Sequence, residues 1–350
     1  MKILSPFSKK EEVLPLIDSG TNELYCGIVP REWEDKYSIF DTLNRREGYG
    51  ANFSVFADLQ SAIQSAHEKN VPVFVTMNGL YMQEQYPLIQ KIIEKLRNIK
   101  VDGLIVADVG LLLMLQKMKF FKEIHMGTGG TTFNSRTVGF YKKLGVSRII
   151  LERHLTIDEI KSISQKSSPI MDLEVFILNT LCPYIDGFCT YYHGLPIIDK
   201  EIAPEIKIKN TKIKFFKSYD VNYGGHGCGL RFSIQAFDRF GNRIRKKFVI
   251  SSPRMDLNRK GFKSCGACAM YDFNKIKIKS LKIVERGAST ESKIKDIKFI
   301  KKGLDILGGE KNLSRGKFIR MIQALYRSTY ECRGCSGFSC YYPSVFLNRH

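Results

Sequence analysis

Two periods alternate along the first 180 residues. Short apolar runs that end on a polar residue are followed by stretches whose apolar positions recur three and four apart. Glu23–Gly27 (ELYCG) reads as a strand. Asp58–Lys69 reads as a helix with Leu59, Ala62, Ile63 and Ala66 on one face. Val71–Met77 is a nearly continuous apolar strand that ends at Asn78, and Tyr86–Ile99 is a helix with Leu88, Ile89, Ile92, Ile93 and Leu96 on its face. Leu104–Ala107 is a strand ending at Asp108, followed by a helix over Gly110–Met118. Glu123–Met126, which contains His125, is a strand running into GTGGTT. Ser135–Leu144 is a helix closed by Gly145. Val146–Leu151 is a strand ending in Glu152 and Arg153. Thr156–Gln165 starts with a capping box formed by Thr156 and Glu159. Leu173–Leu178 is a strand ending at Asn179.

Six or seven β–α units spaced about 25 residues apart imply a parallel sheet, and strands buried on both faces read as continuous apolar runs. No dinucleotide-binding fingerprint follows the first strand, so a closed, TIM-like (β/α) barrel of the α/β class is expected rather than an open sheet. Ser280–Glu285 and the helix Ile294–Leu307 supply the closing unit. The resulting division is a main barrel part (1–181), a cluster-binding loop with a Cys-rich β insertion (182–275), a closing β–α unit (276–310) and a Cys-rich C-terminal tail (311–350). Within the insertion, Asp238–Asn242 reads as a hairpin turn.

A barrel of this type works at the C-terminal ends of its strands. The polar residues at those ends are Asn78, Asp108, His125, Glu152, Arg153 and Asn179, and the first five are the candidate catalytic residues. Each could equally cap a helix or satisfy loop backbone. Asp108 stands evenly between the two roles, His125 reads more as a core histidine, and the Glu152–Arg153 pair is either a structural ion pair or a clamp for a carboxylate-bearing substrate.

Charge and cysteine change the picture. The net charge of +20 could draw RNA or an acidic peptide, although lysines alternating with apolar residues (KIKIKSLKI) also read as strands with wet outer faces. No run of eighteen apolar residues exists, so no membrane span is expected, and the N-terminal apolar patch is too short for a signal-peptide core. A reducing, cytoplasmic setting follows as the expectation. Eight of the nine cysteines fall in the second half, as C-x6-C (Cys182, Cys189), Cys228 in GGHGCG, C-x2-C (Cys265, Cys268) and C-x2-C-x4-C (Cys332, Cys335, Cys340). Thiolates gathered this way in such a setting hold metal more often than they form disulfides. Their spacing is unlike a zinc ribbon, so an iron–sulfur cluster is favoured over zinc.

The segment EVFILNTLCPYIDGFC, with Glu174, Phe176, Cys182, Gly187 and Cys189, resembles the signature of the collagenase-like peptidases, unassigned-peptidase family thirty-two. The resemblance extends through AHEKNVPVFVTMN, VDGLIVADVGLL, LGVSRIILERHLTIDEI and SLKIVERG, over about residues 15 to 290. Two departures flank the pocket: Asn179-Thr180 stands where the family has Gly and a small residue, and Tyr191-Tyr192 where it has an aliphatic residue and Ser. The Gly-Arg that often closes the last segment appears here as Arg286-Gly287, in reversed order, and Arg286 is given no role.

The resemblance implies a 4Fe–4S cluster on a TIM-like barrel, with Cys182, Cys189, Cys228 and Cys268 as ligands; Cys268 suits the fourth place better than Cys265. It also implies oxygen-independent hydroxylation of a quinone precursor, a peptide or an RNA base. The alternatives are a peptidase, although the chain has no HExxH or GxSxG sequence, or the cluster-bearing subunit of a heterodimer that relies on a partner or electron donor. Cys265, Cys332, Cys335 and Cys340 form a further set of four, expected to hold a second iron–sulfur cluster or zinc.

Overall fold

The computed structural model describes residues 1–37, 43–45, 50–120, 122–167, 171–179, 181–182, 184–189, 206–208, 211–213, 232–237, 243–250, 263–332 and 339–347. Eight parallel strands close into a ring. In chain order they are β1 (Lys2–Pro6), β2 (Glu23–Gly27), β3 (Val73–Met77), β4 (Gly103–Val106), β5 (Glu123–Met126), β6 (Arg148–Ile150), β7 (Asp172–Leu178) and, after four strands outside the ring, β12 (Ser280–Ile283). Each strand pairs with the next in sequence, and β12 returns between β7 and β1, with Ile3 opposite Leu281. The TIM-like barrel expected from the sequence is therefore present, and no helix among the described residues is long and apolar enough to cross a membrane.

The helices wrap the ring as amphipathic elements. They are α1 (Val13–Asp18), α2 (Arg31–Lys36), α3 (Phe56–Glu68), α4 (Tyr86–Asn98), α5 (Val109–Lys117), α6 (Ser135–Lys143), α7 (Ile157–Ser167), α8 (Met270–Lys275), α9 (Thr290–Gly309), α10 (Arg315–Tyr330) and α11 (Ser344–Leu347). On α4, Leu88, Ile89, Ile92, Ile93 and Leu96 are all buried, one apolar stripe against the sheet. The capping box forms as read: Thr156 N donates to Glu159 Oε2 at 2.7 Å, and Glu159 N donates to Thr156 Oγ1 at 3.3 Å.

Three features differ from the sequence reading. The N-terminal apolar patch is strand β1, whose five residues are too few to show a period. The tail carries a four-turn helix, α10, which packs on α9. The lysines of the closing unit are not all solvated: Lys282 points into the barrel, and Lys293 is buried against Glu12 at 2.8 Å. In the insertion, β8 (Ile206–Ile208) pairs antiparallel with β9 (Thr211–Ile213), and β10 (Phe232–Phe237) with β11 (Arg243–Ile250). The turn expected at 238–242 lies outside the described residues.

Barrel interiors of this kind are usually layers of branched apolar side chains. Here the layer nearest the N-terminal ends is ionic. Arg148 of β6 spans the ring to β2, its two terminal nitrogens reaching the Glu23 carboxylate at 2.6 and 2.9 Å, and it also meets Glu174 of β7 at 3.2 Å. Glu174 in turn accepts from Lys282 Nζ at 3.0 Å. Burial opposes ionisation of Glu23, but Arg148 and then Lys2 outweigh it and hold the carboxyl down at about 2.

Candidate active site

At the opposite end of the barrel the strand ends enclose a recess of about 110 Å³. Its lining includes Tyr25, Thr76, Asn78, Arg153, Cys182 and Arg286. Arg45 and Lys282 add two further cations, and Asp186 and Glu285 are the carboxylates of the described lining.

Asp186 organises one wall. It accepts from Arg153 Nη2 and from Thr128 Oγ1 through the same carboxylate oxygen, while its carbonyl accepts from Arg45. Burial works against the charge on Arg153, and the Asp186 carboxylate overrides it, so the guanidinium titrates above its ordinary value. The turn Asp186–Phe188 lies directly on the turn Thr128–Gly130. A Cβ on Gly187 would sit 2.1 Å from Thr131 Cγ2 and 2.8 Å from the Gly129 carbonyl, which gives the signature glycine its physical reason. The turn is thereby fixed between Cys182, buried in the lining, and Cys189, half-buried.

The Arg153 guanidinium lies 4.6 Å from the Phe176 ring centroid, and Tyr341 stacks on the same ring at 6.2 Å with 13° between the planes. Tyr341 also donates to the Asn179 carbonyl, and Tyr342 to the Phe176 carbonyl at 2.8 Å. The tail segment around residues 339–342 thus braces the end of β7.

Arg286 forms the other wall. Its Nη1 donates to Thr76 Oγ1 at 2.8 Å and to Asn52 Oδ1 at 3.0 Å, and its Nη2 donates to Asn44 Oδ1 at 2.6 Å. The backbone turns sharply just before Arg286: Glu285 has φ +76°, the left-handed region that glycine fills most readily. Asn179, at a departure from the signature, also lies there with φ +68°, asparagine being among the residues that best tolerate that region.

The sequence candidates divide. Asn78 and Arg153 line the recess, and Asn78 Oδ1 also accepts from Arg45 N at 3.2 Å. Asp108 works as the N-cap of α5, accepting from Leu111 N at 2.7 Å and from Tyr86 Oη at 2.6 Å. His125 is fully buried, 2.8 Å from Glu123 and against Phe74, in the ionic layer below the recess; burial lowers its pKa first, with Glu123 opposing. Glu152 is buried beside the recess, and neither of its carboxylate oxygens finds a hydrogen-bond donor among the described residues; His154 Nδ1 lies 3.6 Å away.

Of the expected cluster ligands, Cys182 offers a soft donor to the recess near Arg153. Cys268 is buried in the 3-10 turn Ala267–Ala269, and Cys228 lies outside the described residues. Among the described residues no three Cys, His, Asp or Glu side chains converge as metal ligands. In the second set, Cys265 and Cys340 face each other across a parallel bridge, Cys332 is half-buried at the end of α10, and Cys335 lies outside the described residues.

Sequence reasoning passed over Arg45, Thr128, Asp186, Lys282 and Arg286. Asp186 adjoined a signature glycine, yet a lone acid between two cysteines reads as loop polarity. Lys282 stood in an alternating pattern whose inward face was taken for the outward one.

A parallel eight-stranded barrel with a polar, cation-rich recess at its C-terminal face has the architecture of an enzyme. A family model described as peptidase family U32 matches residues 8–195, more than half of the chain, and the chain belongs to that family. The tRNA hydroxylation protein P of Haemophilus influenzae is 32% identical over 188 residues, covering 54% of this chain and 38% of that protein. The protein of the same name from Helicobacter pylori strain 26695 is 26% identical over 189 residues, 54% and 42% of the two chains. An uncharacterized protease of Methanocaldococcus jannaschii is 28% identical over 194 residues, 54% and 43%. The matched stretch covers less than half of each relative's length.

Proposed function

We propose that this chain performs an oxygen-independent hydroxylation of a pyrimidine base in RNA, with a 4Fe–4S cluster held by Cys182, Cys189, Cys228 and Cys268. The observation that carries the reading is the recess itself: Cys182 shares its lining with Arg45, Arg153, Lys282 and Arg286. Relatives named for tRNA hydroxylation and the net charge of +20 support RNA as the substrate.

The cluster, when bound, would supply one-electron transfer. The remaining work falls to the chain. Arg286, fixed by three neutral acceptors, donates to substrate oxygen. Asp186 keeps Arg153 charged and seated over Phe176. Lys282 Nζ is the proton-holding group of the floor: burial lowers its pKa, Glu174 opposes this, and the ammonium is made easier to deprotonate. Phe176, Tyr25 and Ile150 exclude water from the apolar side.

Anaerobic purification tests the cluster: a brown protein that bleaches with dithionite and carries about four irons per chain is expected. Nucleoside mass spectrometry of RNA from a strain lacking the gene should show one hydroxylated pyrimidine missing, restored by the gene and not by Cys182→Ala. A colourless zinc protein, or unchanged RNA, overturns the reading.

A further inference from the structure

Eight large apolar side chains are exposed among the described residues. Five of them, Val55, Leu80, Met82, Val109 and Phe188, lie in or at the close of the connections from β2 to α3, β3 to α4 and β4 to α5 and of the segment after β7. Single exposed apolar residues are ordinary, but their gathering at the end of the barrel where the recess opens is not. Leu80 and Phe188 are the most exposed of the eight, at 72% and 76%. Leu80 follows Asn78 by two residues and Phe188 follows Asp186 by two, and both Asn78 and Asp186 line the recess.

Phe188 is the sharper case, because its backbone is held while its ring is not. Phe188 N donates to the Ile185 carbonyl at 3.1 Å, and Cys189 N to the Asp186 carbonyl at 3.3 Å. Gly187 fits flush against Thr131 and the Gly129 carbonyl. Asp186 is engaged through its carboxylate by Arg153 and Thr128 and through its carbonyl by Arg45. The ring projects into solvent from this fixed turn, beside the recess and outside its lining. A group presented so rigidly loses little further freedom when a ligand lands on it.

Single-stranded nucleic acid is bound by this combination: positive charge takes the backbone, and aromatic rings take the faces of the bases. Arg45, Arg153, Lys282 and Arg286 supply the charge in the recess. An enzyme that acts on a base must draw it out of its stack, which strips the neighbouring base of its partner. Resting on the RNA reading above, we propose that Phe188 is the stacking platform for the base next to the one that enters the recess, and that the substrate is unpaired RNA. Stacking of this kind tolerates any sequence, because every base has a π face. Phe188 therefore seats the strand, while the choice of base stays with the recess.

The test uses the full chain, purified anaerobically, with an unpaired oligopyrimidine RNA and the same strand annealed to its complement. Anisotropy titration should show saturable binding of the unpaired strand and weaker binding of the duplex. Phe188→Ala should weaken binding of the unpaired strand by about 5- to 150-fold, the scale of one stacked base. Because the ring is exposed, Tm should stay within about 2 °C of the unaltered chain, which separates lost stacking from lost folding. Phe188→Leu keeps an apolar side chain without a π face and should bind nearly as weakly as Phe188→Ala. Phe188→Trp should bind at least as tightly as the unaltered chain. The single native tryptophan, Trp33, is buried, so the indole introduced by Phe188→Trp reports on the site, and unpaired RNA should quench its fluorescence. If Phe188→Ala binds the unpaired strand as tightly as the unaltered chain, the stacking role fails while the RNA reading stands. If Phe188→Ala instead abolishes self-association with RNA binding unchanged, the ring is covered by a second copy of the chain and the stacking role likewise fails. If neither RNA binds the unaltered chain, both fail together.

Discussion

The side-chain amide of Asn179 donates at 2.8 Å to the buried carboxylate of Asp296, from a backbone position with φ +68°. The left-handed residue and the hydrogen bond together set how the chain leaves β7 on its way to Cys182. Asp296 also holds Lys263 at 2.5 Å and Tyr330 at 2.7 Å, so β7, α9 and α10 meet at one carboxylate. Asn179→Gly keeps the backbone and loses the bond, and a loss of about 1–2 kcal/mol is expected. Asn179→Ala loses the bond and adds left-handed strain, so a loss of about 3 kcal/mol is expected. Urea denaturation of both variants checks the order; equal losses would sink the argument.

Gly27 is the space that Arg286 occupies. A Cβ there would lie 1.8 Å from Arg286 Nη1. Gly27→Ala should therefore expel the guanidinium from its place on Thr76 and Asn52, lowering the proposed RNA modification by about 100-fold, the scale of an ångström-sized misplacement. Arg286→Lys, which cannot reproduce the fork, should match it. Hydroxylated-nucleoside yield measures both, and full activity in Gly27→Ala would show that Arg286 does not position substrate.

Asp186→Asn should release Arg153. A guanidinium buried without its counter-charge destabilises the fold by about 3 kcal/mol. Because the turn carrying Cys189 is anchored through the same carboxylate, proteolysis between residues 182 and 189 should quicken, and the iron of the proposed cluster should be retained less well. Thermal unfolding and iron analysis report the two effects separately.

The ionic layer predicts an acid limit. Glu23 has its folded pKa lowered to about 2 from 4.5. Its contribution is therefore fully present above about pH 4.5 and is lost as pH falls towards 2, on the order of 3 kcal/mol in all. His125, whose pKa is also lowered, adds a loss that begins as pH falls below 6.5, where the unfolded chain takes up a proton that the folded one refuses. Glu23→Gln should be less stable at pH 7 and should show a flatter stability profile between pH 4.5 and 2, measured by urea midpoints across that range.

The barrel was legible because its strands are apolar on both faces and its helices carry clean stripes, as α4 does. The strand Lys2–Pro6 was not, since its partners β12 and β2 supply the evidence that it is a strand. Cys182 and Arg153 were legible as strand-end residues beside a signature. Arg286 was given no role in the sequence, and its hydrogen bonds to Asn44, Asn52 and Thr76 come from segments more than 200 residues away. Asp108 and His125 stood in the right sequence context for chemistry, yet Tyr86 and Leu111 claim the first and Glu123 the second. Whether a polar side chain faces substrate or structure depends on contacts tens of residues away, and no local pattern records them.

The ionic layer also has a consequence for how the ring is built. Arg148 on β6 finds its first carboxylate on β2, and Lys282 on β12 finds its own on β7. A fragment that stops before β6 would leave Glu23 to Lys2, and one that begins after β2 would leave Arg148 to Glu174, without the carboxylate that takes both its terminal nitrogens. The full set of charge pairs inside the wall forms when the whole circle is assembled, so the barrel is expected to unfold as a single unit and not as two half-rings.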